Sequence, residues 1–376
     1  MSRPAILFAL IGLSGIVLPL VQFKPNRIAA GEGVVLITGF GWGAAVALGL
    51  AAILVAGCWA GWAALTRLAV ALLGVVAVTL SLGMAARHLA QADNALARVS
   101  PAGGFWLLLL AFSLMFGDAI TRLRPSAVTR WLILCAVLVL IAVVLATGLL
   151  DGVSVMREYA ARREPFLNAA RTHLLLGFGS LGLALAVGLP LGMVLFHAPR
   201  IAGPVLAALN VVQTIPSLAL FGIMIPLFGW LAATLPTAAQ WGLSGIGIFP
   251  AMTALFLYAL LPVVSNTVAG LSGVPVAIRE AAEGLGMTRP QILMRILVPL
   301  ALPVLLAAVR IVLVQNIGLG VIAGLIGGGG FGSFVFQGLN QTAMDLVLLG
   351  ALPTIALALL AGIVMDLLVD LSQRRA

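Results

Sequence analysis

Charge is what this chain lacks most. Only 8% of its 376 residues are Asp, Glu, Lys or Arg, against roughly 25% in a soluble domain. With 62% hydrophobic residues, no soluble fold has enough polar surface to cover the remainder, so the solvent is lipid. Cysteine is scarce: Cys58 and Cys135 lie in or beside apolar runs. That excludes a disulfide framework and leaves two reduced packing residues. His88, His173 and His197 are too far apart for metal-ligand spacing, so no metal site is expected. Lys24 is the sole lysine and has no glycine-rich loop around it. A phosphate-cradling Gly-x-x-x-x-Gly-Lys-Ser/Thr loop is therefore missing, and the chain cannot supply an ATPase site itself. The +9 net charge, from 20 basic and 11 acidic residues, is scattered between apolar runs. No nucleic-acid patch results. An HExxH motif or a Ser/His/Asp grouping is also missing, which argues against an intramembrane enzyme.

What the chain has instead are runs of about 20 apolar residues, the length that crosses a bilayer. They fall at 5–21, 35–56, 64–86, 104–120, 130–150, 171–196, 201–229, 249–273, 301–325 and 346–371. The expected fold is an all-α polytopic membrane protein of about ten transmembrane helices, with 201–229 long enough to bend. The first run follows Arg3 and precedes the small residues of "IAAGEG" (28–33), as a cleaved signal peptide would. Pro19 and "QFKPNR" intervene, so it is read as a retained span. Residues 1–150 form a hydrophobic extension of about five spans, with Gly39, Gly43, Ala47 and Ala51 at helix-packing spacing. Residues 151–170 form a polar connector, and 171–371 hold five more spans, richer in Pro and intramembrane polar groups. Twelve arginines share the side of the termini; the other eight basic residues, led by Arg157, Arg162, Arg163 and Arg171, lie opposite. This places both termini in the cytoplasm and the connector and the uncharged 230–248 loop outside.

Between two spans sits "IREAAEGLGMTRPQILMRILVP" (278–299), with Arg279, Glu280, Glu283, Arg289 and Arg295. Pro275 suits a helix start, and Ile278, Ala281, Ala282 and Leu285 make one apolar stripe. Gly286 suits the left-handed end of that helix. Thr288 to Gln291 reads as a capping box opening a second helix, which runs to Pro299. Periodicity alone fits either an interfacial helix on lipid headgroups or a helix docked on another protein.

Polar residues recur inside the later spans. Asn210, Gln213, Thr214 and Ser217 fall on one helical face, beside the helix-breaking Pro216. Four such groups face a bundle interior or a watery cavity, because lipid solvates them poorly. Tyr258, Pro262, Ser265 and Ser272 mark another stripe with Asn266 beside it, and Arg310, Gln315 and Asn316 add polarity to the ninth span. Each is a candidate for lining a translocation path or for holding two helices together by one hydrogen bond. Arg310 can instead snorkel to the inner headgroups. The glycines 327–330 (Gly327, Gly328, Gly329, Gly330) read either as a flexible linker or as an outer gate closed by tight backbone packing.

The spacing Glu280-Ala281-Ala282, Gly286, Ile296, Pro299 resembles the EAA loop of binding-protein-dependent ABC importer permeases, here at 275–299. Most of 171–371 is similar to the five-helix core of type I importer permeases. Within it, "NVVQTIPSLALFGIMIPL" (210–227) and "VIAGLIGGGGFGSFVFQGL" (321–339) resemble the quaternary-amine subfamily. "PNRIAAGEG" (25–33) and "ALARVSPAGGFW" (95–106) resemble the YehY-type osmoprotectant permeases, which carry such an extension. The resemblance implies a coupling helix docking on a cytoplasmic ABC ATPase subunit. Glu280 would offer a carboxylate to it, Ala281 and Ala282 would permit close approach, and Gly286 would make the turn. It further implies a second permease chain, the same or different, and a periplasmic substrate-binding protein that does the selecting. No cofactor is expected here, ATP being held by the partner, and membrane lipids are the other contact. A trimethylammonium solute is usually held by aromatic faces; aromatics are 7% here with no evident cage, which fits a weakly binding corridor. The competing class is a stand-alone secondary transporter or channel. That class relies on midspan carboxylates, whereas Asp118, Asp366 and Asp370 fall near span ends.

Overall fold

A computed structural model describes residues 3–26, 29–59, 62–90, 96–235, 237 and 243–373. Arg374 and Arg375, parts of the "PNRIAAGEG" and "ALARVSPAGGFW" stretches, and residues 236 and 238–242 of the 230–248 loop lie outside these. The chain forms two compact units, Met1–Ala161 and Arg162–Ala376.

In the N-terminal unit, α1 (Arg3–Val17) leads into β1 (Pro19–Lys24), followed by β2 (Glu32–Val35), α2 (Leu36–Gly39), α3 (Gly43–Gly57) and α4 (Ala64–Leu89). Then come β3 (Arg98–Pro101), α5 (Gly103–Leu123), α6 (Ala127–Ala146) and α7 (Ser154–Ala161). The strands make an antiparallel sheet in the order β2-β1-β3, with Gln22 opposite both Gly33 and Ser100. This sheet corrects two expected spans. Pro19 ends α1 and starts a strand, so 5–21 is a helix only to Val17. The 35–56 run is strand and short helix before α3 begins at Gly43. At 15 residues each, α1 and α3 are about 22 Å long, short of the roughly 30 Å hydrocarbon core. Of the expected packing stripe, Gly43 and Ala47 are buried in α3 while Gly39 lies outside it. The close helix crossing is elsewhere: a Cβ on Gly104 of α5 would stand 2.6 Å from the Gly15 carbonyl of α1.

Eight helices of the described residues are long and apolar enough to cross a membrane. In the C-terminal unit the helices are α8 (Arg163–His197), α9 (Pro199–Thr214), α10 (Ser217–Thr234) and α11 (Ile248–Ser272). They continue with α12 (Val276–Gly284), α13 (Arg289–Leu319), α14 (Gly332–Asn340) and α15 (Met344–Gln373). The 201–229 run is therefore two helices, because Ile215 turns extended ahead of Pro216. Residues 151–170 are helical for most of their length, holding α7 and the first turns of α8. The small residues of α8 set its approach to α11: a Cβ on Gly192 would stand 2.5 Å from Thr267 Cβ. α13 packs against both α11 and α15, closing a core of Leu181, Ala184, Val263, Val312, Ile317 and Met365.

Candidate coupling loop and translocation path

The loop is built on α11, α12 and the start of α13. Leu285 N–H bonds the Ala281 carbonyl, Gly286 N–H that of Glu283, and Met287 N–H that of Ala282. Gly286 holds φ +79°. This is the left-handed helix ending that glycine accepts without a Cβ penalty. Gln291 then reaches back so that its Oε1 accepts the Thr288 N–H at 2.8 Å, closing the start of α13. Within α13 a π-helical segment, Leu293–Leu297, precedes Pro299. Its wider turn accommodates a ring that would crowd the Arg295 carbonyl in a regular helix. The expected second surface helix and the ninth span are thus one continuous helix.

The expected apolar stripe of α12 splits. Ala282 is buried, with Leu271, Val274, Ile292 and Leu297 around it and Met287 and Phe196 against them. Arg279 lies over the Phe196 ring at 5.8 Å. Ile278, Glu280 and Ala281 are exposed, and Leu285 is 83% exposed. Ala282 therefore anchors the helix to its own chain, while Ile278, Glu280, Ala281 and Leu285 form a free surface. Ile296 is half-buried and Pro299 exposed.

At the α9–α10 break, Pro262 deprives the Tyr258 carbonyl of its usual helical donor. Gln213 Nε2 donates to that carbonyl instead, at 2.8 Å. The Tyr258 hydroxyl in return donates to the Ile215 carbonyl, so the two helices clasp each other twice. Asn266 Nδ2 donates to Pro262 O at 2.8 Å, and Thr214 Oγ1 to Val211 O at 2.7 Å within its own helix. Asn210 is exposed; Ser217 and Gln315 are half-buried. Asn316 is fully buried and donates to Ser180 Oγ at 2.8 Å. Arg310 is paired with Asp366 of α15 at 2.5 Å, both side chains 45% exposed.

The tetraglycine segment is a packed turn. A 3-10 turn, Ile322–Ile326, precedes it, and the Ile326 carbonyl accepts the Gly247 N–H that opens α11. Gly327, Gly329 and Gly330 hold φ of +75°, +78° and +75°, which side chains rarely adopt. A Cβ on Gly328 would stand 2.8 Å from Ala251 Cβ. Phe196, near the end of α8, meets the coupling loop, whereas Thr172, near its start, meets Gly329. The two features therefore lie at opposite ends of this unit.

Residues 184–376 match the family of binding-protein-dependent transport system inner membrane components. The chain belongs to that family. Residues 2–156 match the N-terminal domain of the ABC transporter permease YehY. The permease is 42% identical over 187 residues to the osmoprotectant import permease protein OsmW of Salmonella typhimurium, covering 50% of this chain and 82% of the relative. It is 37% identical over 187 residues to the carnitine transport permease protein OpuCB of Listeria monocytogenes, covering 50% and 78%. It is 34% identical over 203 residues to the glycine betaine/carnitine/choline transport system permease protein OpuCB of Bacillus subtilis, covering 54% and 84%. The permease is a multi-pass inner-membrane protein.

Two polar partners in this permease escaped the sequence reading. In sequence His173 offers only a metal spacing that fails and Asp366 only a charge near a span end, yet each holds α13, through the Ile317 carbonyl and Arg310. The signal for α8 was present: His173, Gly177, Ser180, Ala184, Gly188 and Gly192 recur at helical spacing and all are buried.

Proposed function

We propose that this permease works in an ATP-driven importer that carries an osmoprotectant such as glycine betaine or choline into the cytoplasm. The coupling loop and both termini face the cytoplasm. Cytoplasmic ABC ATPase subunits dock on α12, a second permease chain completes the pore, and a periplasmic binding protein delivers the solute. ATP is bound by the partner, and this chain needs no cofactor of its own. The observation that carries the reading is the free surface of α12, where Glu280 is exposed and Leu285 is 83% exposed on a helix anchored through Ala282. Its chemistry suits a protein groove with a basic residue, because an apolar rim around a carboxylate is matched there. The solute class rests on the names of the relatives. Asn210, Ser217, Asn266 and Gln315 supply the polar groups of a weakly binding corridor, and the glycine turn its outer gate. Against a stand-alone carrier, Asp118 and Asp366 are each engaged by arginine, which leaves neither free as a relay.

The test is uptake of radiolabelled glycine betaine or choline by the chain reconstituted with its ATPase and binding protein. Uptake should require ATP, and Glu280→Lys should lower it about tenfold or more through a repelled docking contact, with the membrane fold intact. Uptake driven by an ion gradient without ATPase would sink the proposal. Unchanged transport in Glu280→Lys would remove Glu280 from the mechanism.

A further inference from the structure

At the end of α13 opposite the coupling loop, one buried side chain of α8 bonds the last turn of α13 and packs against the glycine turn, two contacts that must loosen if that end is to open. The Asn316 carbonyl accepts the Gly320 N–H at 2.8 Å, and the Gly318 carbonyl the Val321 N–H at 3.2 Å. The Ile317 carbonyl, in the same final turn, is taken by His173 Nε2 of α8 at 3.0 Å. A carbonyl only accepts, so Nε2 carries the proton and Nδ1 keeps its lone pair. His173 is 1% exposed, and that Nδ1 has no partner. It faces the glycine turn: a Cβ on Gly330 would stand 3.0 Å from it, and one on Gly320 3.2 Å from His173 Cε1. The Phe331 ring lies 5.0 Å from the imidazole. Beside Ile317, Asn316 Nδ2 bonds Ser180 Oγ, two turns along α8 from His173, at 2.8 Å, while Asn316 Oδ1 is likewise buried without a protein partner.

We propose that His173 is a positioning residue that latches the far end of α13 beneath the tetraglycine turn, and that the latch opens and closes in each transport cycle. Two hydrogen bonds between α8 and α13, one donated from each, hold it shut. Two buried acceptors, His173 Nδ1 and Asn316 Oδ1, receive no donor from the protein in the shut arrangement, so its hydrogen bonding is incomplete. The latch is thus poised rather than locked. α13 is continuous from the coupling loop at Arg289 to Leu319, so a displacement at one end reaches the other along one helix. Glycine at 320 and 330 lets the backbone close on the ring, and the donor at Nε2 selects the closed register.

The inference rests on the importer reading, and its test is built to fail separately from that reading. In the full transporter with Cys58 and Cys135 replaced by alanine, Ile317→Cys is exposed to a membrane-impermeant maleimide added outside. Ile317 is 1% exposed, so labelling should be slow. His173→Phe keeps a ring against Phe331 but removes the donor; labelling should rise about tenfold, the effect of losing one buried hydrogen bond, and uptake should fall. His173→Gln, whose amide can donate to the Ile317 carbonyl, should restore both. Gly320→Ala, at an ordinary helical φ of −57°, crowds the ring at Cε1 and leaves the imidazole in place; it should raise labelling by a smaller factor. Parent-level labelling in assembled His173→Phe overturns the latch. Loss of assembly in both His173→Phe and Gly320→Ala also overturns it, by assigning the residue to folding alone. If the parent labels as expected but takes up no osmoprotectant, the solute reading fails and the latch stands.

Discussion

Six helices of the C-terminal unit carry a proline inside them, at Pro190, Pro204, Pro226, Pro262, Pro303 and Pro353, whereas α3, α4, α5 and α6 of the N-terminal unit carry none. Each internal proline removes a backbone hydrogen bond and frees a carbonyl. In a bilayer that carbonyl must find a donor inside the protein. At Pro262 the C-terminal unit answers with a side chain that crosses between helices, Gln213 on the Tyr258 carbonyl. The N-terminal unit leaves its ladders whole and places charge at helix ends: Arg67 lies 3.8 Å from Asp118, which also holds Arg122 at 2.7 Å. Arg67 further donates to the Trp59 carbonyl at 2.7 Å. One unit is jointed, its bends held by replaceable bonds. The other is a set of unbroken rods pinned by ions.

The contrast breaks first at the pin. Arg67 is 6% exposed, so Asp118→Leu leaves a buried cation without its counter-charge. The expected loss is about 3–5 kcal/mol, read as a large fall in the thermal midpoint of the solubilised protein. Asp118→Leu combined with Arg67→Leu should recover most of it. If the single change is tolerated, the N-terminal unit is not held by its ions and the comparison fails on that side.

The joints make a prediction of opposite sign. Pro262→Ala gives α11 a new N–H that competes with Gln213 for the Tyr258 carbonyl. Proline costs about 3 kcal/mol in an ordinary helix interior, so the variant should be at least as heat-stable as the parent, yet slower in ATP-dependent uptake. Equal or faster uptake would show that the bend has no part in the cycle.

Much of this was legible in sequence because its causes are local. Pro275, the spacing to Gly286, and Thr288 with Gln291 lie within seventeen residues, and the structure forms those helices and turns. Apolar length likewise found the eight long helices, with Pro216 marking the one that breaks. The sheet was illegible because its strands pair residues 19–24 with 98–101, and "PLVQFK" continues an apolar run that helix and strand explain equally. Which members of the α12 stripe pack inward was illegible for a related reason: periodicity groups Ile278, Ala281, Ala282 and Leu285, and only the fold buries Ala282 and leaves the other three exposed. His173 was passed over because a lone histidine on an apolar face gives no spacing to argue from; only the carbonyl it meets, 144 positions away, gives it meaning.

The smallest effect is expected at the clasp itself, and it separates a joint from a pore wall. Gln213 lies on the polar face read as lining a path, yet its amide is engaged by Tyr258. Gln213→Leu leaves the Tyr258 carbonyl without a donor while the Tyr258 hydroxyl still holds Ile215. Such interhelical bonds are worth about 0.6–2 kcal/mol in membrane proteins, so the thermal midpoint should drop by only a few degrees. The discriminating quantity is solute dependence. If Gln213 is a strut, uptake of a small and a large quaternary amine should fall by the same factor. If it touches the solute, the two factors should differ, because removing a contact from the path changes discrimination and removing a strut does not.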